Sequence, residues 1–349
     1  VSTLAVRSAA LWRVPLLRHV VLGLVGLTVM LFVLGSLSPF RDAQLATMAY
    51  LAIAAGGLTV LTGFSGQLSL GHGAFLAVGA YTTAVLLEDG DPPFPLVGVM
   101  VAAVVVTVAV GAVVGIAAAR LHGPYVAGAT LALAVAVPSL ARYLDGLGQE
   151  QGLHVRVPDV PTWFDDTVWM ITGADVDPTS YVAYLGWTAL VVTYVLLANL
   201  MRSRVGRTWR ALSNDDVAAE IAGVRLGRAR VLAFVVSTAA AGLAGSLMAM
   251  AVRVTSPSGF SVDLSVTLLS AIVLGGLGTL SGALIGSALL TFLPQAVTSW
   301  GTSAGLSDVR AAELAPVAYG LIMIAVVLLA PAGIVGSLRR VWWRRRGIA

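Results

Sequence analysis

Three stretches of this sequence set polar or glycine-rich chemistry inside an otherwise apolar chain. The first reads Gly63-Phe64-Ser65-Gly66-Gln67-Leu68-Ser69-Leu70-Gly71-His72-Gly73-Ala74-Phe75 and places Ser65, Gln67, Ser69 and His72 among glycines between two apolar runs. Polar groups at membrane depth need partners or a wet cavity, and glycine lets helix backbones approach closely or unwind. Two arrangements fit this spacing: a discontinuous helix lining a substrate path, or a tight turn with small-residue helix packing downstream. The second stretch, Leu274-Gly275-Gly276-Leu277-Gly278-Thr279-Leu280-Ser281-Gly282, repeats the G-x-x-G-x-L-S pattern of Gly63–Ser69. Glycine-interrupted segments in two halves of a chain point to a central site in repeat-built transporters, and make Gly275, Gly276 and Gly278 path candidates. Four matches within seven positions of a glycine-rich chain also arise by chance.

The third stretch runs from Met201 to Arg230 and carries Arg202, Arg204, Arg207, Arg210, Arg225, Arg228 and Arg230. Within it Ser213 or Asn214 is expected to cap a short helix with Asp215 and Asp216 in its first turn, at the positive end of the dipole. Val217, Ala218, Ile221 and Ala222 form an apolar face, and Gly223 ends the helix. Such a helix reads as a docking knob for a soluble partner. An arginine-rich anchoring loop, whose charges only report orientation, is the alternative.

Several chemistries are excluded. Cysteine is absent, which removes disulfides, thiolate nucleophiles and cysteine-ligated metals, and four scattered histidines suggest no metal site. All 21 basic residues are arginine, so there is no P-loop lysine to reach a nucleotide phosphate and no Schiff-base lysine. Gly63-Phe64-Ser65-Gly66 fits the surroundings of an intramembrane serine nucleophile, but the required later histidine is missing: none follows His154.

The elements that position these stretches are set by composition. Of 349 residues 58% are hydrophobic and 11% charged, far from the quarter or so of charged residues of a soluble domain. Apolar runs at about 19–38, 44–62, 67–87, 96–119, 124–141, 180–201, 231–252, 264–278, 280–299 and 313–333 each suit a bilayer crossing. The pair around 275–282 is either one kinked span or two short ones. The first run is long and lacks a small-x-small cleavage pattern before Arg41, which favours a span over a signal peptide. Arginines cluster before residue 19 (Arg7, Arg13, Arg18), over 202–230 and after 338 (Arg339, Arg340, Arg344, Arg345, Arg346), while 88–95 and 142–179 are acidic. The positive-inside rule then places both termini and 202–230 in the cytoplasm, with ten spans. The expected architecture is an all-α polytopic membrane protein: a tail over 1–18, a transmembrane domain over 19–338 and a basic tail over 339–349. In this setting a net charge of +4 reports orientation rather than nucleic-acid binding. The outer loop 142–179 holds Trp163, Phe164 and Trp169 and is expected to form a short amphipathic or re-entrant segment, as an aromatic-anchored cap rather than a ligand pocket.

Together the segments resemble the branched-chain amino acid permease family of ATP-binding-cassette importers. The resemblance is carried by GFSGQLSLGHGAFLAVGAY (Gly63–Tyr81), by SRVGRTWRALSNDDVAAEIAGVRLGRARVLAFVVSTAAAGLAGSL (Ser203–Leu247) and by TSPSGFSVDLSVTLLSAIVLGGLGTLSGALIGSALL (Thr255–Leu290). It covers roughly 44–335 in order. The resemblance implies a permease subunit of the bacterial plasma membrane, with no enzyme activity and no cofactor of its own. ATP and Mg would bind two partner ATPase subunits. A second homologous permease and an extracytoplasmic binding protein delivering leucine, isoleucine or valine complete the implied assembly. Val217–Gly223 matches the coupling signature E-A-A-x-x-x-G except that Val217 replaces glutamate. Ala218, Ala219 and Gly223 are then expected at the ATPase contact, with Arg207, Arg210, Asp215, Asp216 and Glu220 nearby. Urea or short-chain amide permeases carry a similar Leu-Ser-Leu-Gly-His-Gly run. An ion-coupled secondary transporter usually sets ionisable groups inside spans, whereas Asp263 and Glu313 are the nearest such residues here.

Overall fold

The computed structural model describes residues 15–90, 92, 94–121 and 123–345. The tail arginines Arg7, Arg13 and Arg346 lie outside the described residues, as do Asp91 and His122. One apolar helix corresponds to each of the ten runs. They are α1 (Pro15–Leu34), α2 (Pro39–Leu58, continued by a π-helical turn Thr59–Phe64), α3 (His72–Leu87), α4 (Leu96–Ala118) and α5 (Pro124–Tyr143), then α7 (Pro178–Arg202), α10 (Leu226–Val252), α11 (Val262–Gly275), α12 (Leu280–Ser303) and α13 (Asp308–Leu329). Eight of the ten are long and apolar enough to cross a membrane, α11 with the 3-10 turn that precedes it; α1 over Arg18–Leu34 and α3 are apolar but shorter. The protein is thus an all-α polytopic membrane protein. Four further helices lie between or after these: α6 (Thr162–Thr172), α8 (Arg204–Asn214), α9 (Asp216–Ile221) and α14 (Gly333–Arg345).

Local signals set the helix starts. Proline opens α2, α5 and α7, where its missing N–H costs nothing. Asp177 caps α7 through Oδ1, which accepts from Thr179 N and Ser180 N at 2.7 Å each. The 264–278 and 280–299 runs form two helices rather than one kinked span. The chain breaks at Gly276–Thr279, and Thr279 Oγ1 accepts from Gly282 N at 3.1 Å to start α12. In place of the arginine loop expected up to residue 230, α10 begins at Leu226, so Arg228 and Arg230 belong to its first turns.

Of the eight long spans α2 and α10 are the most buried, with 78% and 61% of their apolar windows inside the protein against 11% for α13. They form the centre on which α3, α4 and α7 pack. Lipid tails are as apolar as leucine, so helices associate through close packing and interhelical hydrogen bonds rather than through a hydrophobic drive. Along α10 the packing surface is built of small residues. A Cβ at Gly245 would lie 2.0 Å from the Leu76 carbonyl oxygen of α3. Polar links cross the same interfaces: Thr83 Oγ1 to Ser246 Oγ at 2.7 Å, and Tyr194 Oη to the Ala52 carbonyl at 2.8 Å.

One end of the bundle carries the acidic segment 144–177. It is fastened by a two-residue antiparallel pairing of Leu153–His154 with Val254–Thr255. Its helix α6 is amphipathic. Val168 is buried and Phe164 packs edge-on against Tyr181 and Tyr184, while Trp163, Trp169 and Met170 are exposed. The opposite end carries α8, α9 and the 276–279 break.

Candidate functional site

The segment joining α2 to α3 is the principal irregularity inside the bundle. From Ser65 to Gly71 the chain is not helical. Burial alternates along it: Ser65, Gln67, Ser69 and Gly71 are buried, Gly66 and Leu68 exposed, Leu70 half-buried. The polar side chains thus share the buried row, while the backbone turns at Ser65 (φ −101°, ψ −3°), Gly66 (φ +73°) and Gly71 (φ −110°, ψ 16°). The segment starts beside Ser213 of α8, which packs against Gly66, and reaches Thr130 of α5, on whose carbonyl Gly71 sits. α3 then completes the crossing with 16 residues, about 24 Å of helix.

Non-helical backbone at membrane depth is tolerated only where protein satisfies its polar groups. Here side chains from neighbouring helices do so. Leu70 N donates to Thr130 Oγ1 at 3.0 Å, and Gly73 N to Ser265 Oγ of α11 at 2.9 Å. Thr62 Oγ1 donates to the Gln67 carbonyl at 3.2 Å. The segment's own polar row is turned inward. Ser65 Oγ donates to the Leu61 carbonyl at 2.8 Å, and Gln67 Nε2 donates to Ser65 Oγ at 2.9 Å and to the Arg230 carbonyl at 3.4 Å. Ser69 is fully buried, and its Oγ accepts from Gly71 N at 3.4 Å. His72 is fully buried at the first residue of α3; its Nε2 meets the Ala54 carbonyl at 3.0 Å and therefore carries the proton. The span is discontinuous, and small-residue packing follows downstream as well, with Gly79 of α3 on the backbone of Gly242 of α10. The four polar candidates hold the segment in place from within, and the row with Leu68 faces outward.

The second glycine-rich break meets the first. Gly63 packs on the backbone of Gly278; a Cβ on Gly63 would lie 2.5 Å from Gly278 N. Gly66 and Gly278 occupy the same position of the repeated pattern, and both are left-handed, at φ +73° and +74°. Gly275 and Gly276 sit at the same turn, packed on Gly282 and beneath Gly333.

The third stretch folds as two short helices on the arginine-rich end. Helix α8 buries Trp209 and Leu212 and fastens itself to α10 through Trp209 Nε1, which donates to the Ala229 carbonyl at 2.8 Å. Arg210 folds back onto the Gly206 and Met201 carbonyls and Arg207 onto that of Arg202, at 3.3 Å, and both residues remain exposed. The cap of α9 is Asp215 rather than Ser213 or Asn214. Its Oδ1 accepts from Val217 N at 2.9 Å and Ala218 N at 3.0 Å, whereas Ser213 and Asn214 complete α8 and keep helical backbone. Gly223, at φ +86°, stops the helix as expected.

The apolar face of α9 is the one read from sequence. Val217 is 66% and Ile221 82% exposed, and Ala218 and Ala222 are exposed beside them. Glu220 is exposed too. Ala219 does not belong to that face: it is buried against the rest of the chain and seats the helix instead of presenting it. Asp216, at the first turn, pairs with Arg230 of α10.

Two functional candidates escaped the sequence reading. Arg230 is almost completely buried, and among the described residues Asp216 is its one charged partner. Asp42, in the first turn of α2, is also buried; its Oδ2 accepts from Ser180 Oγ at 2.6 Å. Asp263 and Glu313, the acids nearest to spans by sequence, are exposed. Among the described residues no cluster of three or more histidine or acidic residues could hold a metal ion.

Comparison with known proteins places this architecture. The permease protein LivM of the high-affinity branched-chain amino acid transport system of Salmonella typhimurium is 33% identical over 270 residues, which is 71% of this chain and 62% of LivM. LivM of Escherichia coli is 33% identical over 269 residues, 71% of this chain and 61% of that protein. The chain thus spans about three fifths of the LivM proteins. BraD of Pseudomonas aeruginosa, a permease protein of the same kind of system, is 26% identical over 83% of this chain and 92% of its own length. A solved structure of a metal-chelate type ABC transporter in an inward-facing conformation aligns over 86% of this chain at 16% identity. Its TM-score of 0.39 is too low to carry an argument. The family description "branched-chain amino acid transport system / permease component" matches residues 40–330. The chain therefore belongs to the branched-chain amino acid transport permease family.

Proposed function

We propose that this chain is the membrane-spanning permease subunit of an ATP-driven importer of leucine, isoleucine and valine. The observation that carries the reading is α9: a short, doubly capped helix with Val217 and Ile221 projecting, seated on buried Trp209 and Ala219. An exposed apolar knob on a rigid platform is what a soluble partner can grip and move. Two ATPase subunits that bind ATP and Mg fill that role, one on this chain and one on a second permease. The arginine-rich end then faces the cytoplasm of a bacterium, and the acidic end with α6 receives an extracytoplasmic binding protein.

The transport path runs along the outward row of the Ser65–Gly71 segment. Leu68 is 42% exposed there, and its aliphatic surface suits the side chain of a branched-chain amino acid. Ser65, Gln67, Ser69 and His72 position that row from behind, and Gly275, Gly276 and Gly278 let the second break close on it.

Uptake of labelled leucine, isoleucine, valine and urea into proteoliposomes holding the purified complex and its binding protein tests the proposal. ATP-dependent uptake of the three amino acids is expected, and urea as the sole cargo, or uptake driven by an ion gradient without ATPase subunits, overturns it. Leu68→Glu is expected to lower uptake at least tenfold without lowering the thermal midpoint.

A further inference from the structure

The exposed knob and the non-helical segment are joined by one continuous polar connection. Asp216, the first residue of α9, pairs with the guanidinium of Arg230. The Arg230 carbonyl accepts from Gln67 Nε2, and Gln67 Nε2 also donates to Ser65 Oγ. Four residues on three elements therefore run from α9 through the base of α10 into the Ser65–Gly71 segment. All four line one cavity of about 160 Å³, which Leu121, Gly123 and Ser213 help to close.

Two features make this connection more than a packing detail. The Arg230 side chain is only 9% exposed, while that of Asp216 is 49% exposed, so the buried cation depends on a carboxylate at the edge of a six-residue helix. A buried charge stripped of its partner is costly, so Arg230 must follow Asp216 or find another acceptor. Gln67 Oε1 is such an acceptor. It is buried, has no hydrogen-bond partner among the described residues, and belongs to a side chain on the same cavity. A group left unsatisfied in one conformation is stabilised by any conformation that supplies its donor.

We propose that Asp216, Arg230 and Gln67 transmit displacement of α9 to the Ser65–Gly71 segment, with Arg230 exchanging Asp216 for Gln67 Oε1 as α9 moves. This rests on the reading of α9 as the ATPase contact. The three are positioning residues: Leu68 moves because Gln67, its neighbour on the buried row, is pulled. A coupling claim of this kind stands on a two-state element that both ends bias, and the exchange of acceptors is that element.

The absence of cysteine from the chain gives a direct test. Leu68→Cys is then its only thiol, and the rate of maleimide labelling, read from the mass of this chain, reports the segment. In the complete complex, ATP with vanadate is expected to change that rate at least fivefold. With Arg230→Gln or Asp216→Asn the change is expected to fall below twofold, Asp216→Glu is expected to retain it, and the Asp216→Asn/Arg230→Gln pair is expected to lose no more than either change alone. Failure of ATPase subunits to co-purify with the unaltered chain overturns the reading of α9. A complex that assembles but whose Leu68→Cys labelling ignores nucleotide, or responds equally in the single variants, overturns the transmission proposal while leaving that reading intact. A second readout avoids the cysteine altogether. Arg230→Gln in the cysteine-free chain is expected to lower uptake per ATP hydrolysed at least tenfold, where damage to the fold alone lowers uptake and hydrolysis together, and an unchanged ratio overturns the proposal.

Discussion

At the residue scale, the side chains that hold the non-helical segment are hydroxyls supplied from elsewhere. Thr130 is the clearest case, since its Oγ1 accepts from Leu70 N and donates to carbonyls of its own helix. Thr130→Val preserves shape but leaves a buried N–H without an acceptor, a loss of about 1–3 kcal/mol. Thr130→Ser keeps the acceptor. The thermal midpoint of the purified protein in detergent is expected to fall for the valine variant and to stay close to wild type for serine. The α3–α10 contact behaves differently because backbone, not a side chain, fills the space. Gly245→Ala is expected to destabilise by about 1–3 kcal/mol through overpacking on Leu76. Gly128→Ala in α5, with nothing within 4 Å, is expected to be neutral or slightly stabilising in the same measurement.

At the element scale, α8 and α9 divide one task between them. Trp209 and Leu212 bury α8, and the pairing of Asp216 with Arg230 together with buried Ala219 sets α9 upon it. Because Val217 and Ile221 are mostly exposed and contribute little packing within the chain, Val217→Ser/Ile221→Ser is expected to leave the thermal midpoint within a degree or two. Co-purification of ATPase subunits is expected to fall at least tenfold, as for loss of central apolar contacts in an interface. Asp215→Ala removes a cap whose loss costs about 1 kcal/mol, and is expected to weaken the same co-purification by a smaller factor. The knob was legible in the sequence because capping, helix length and apolar spacing are local. Its boundary was misread by one or two residues because Ser213, Asn214 and Asp215 are all good caps, and the continuation of α8 through Asn214 selects among them.

At the scale of the whole molecule, the acidic segment 144–177 and the arginine-rich helices lie at opposite ends of the bundle. Single cysteines test the orientation: Asp175→Cys is expected to label with an impermeant maleimide on intact cells, and Asn214→Cys only after the membrane is opened. Labelling of both from one side is the contrary result. Composition and the lengths of the apolar runs were enough to determine the solvent, the all-α class and the positions of ten apolar helices, because each helix in lipid must satisfy its own backbone and so announces itself locally. The two glycine-rich breaks and the apolar face of α9 were determined in the same way. The tertiary structure alone decided what these features face. It turned Ser65, Gln67, Ser69 and His72 into the protein and left Leu68 outward, brought Gly63 onto Gly278 across more than two hundred residues, and buried Asp42 and Arg230 beside Ser180 and Asp216. Periodicity says which residues share a row, but which row is buried depends on the neighbouring helix, and no residue's own sequence context contains that neighbour.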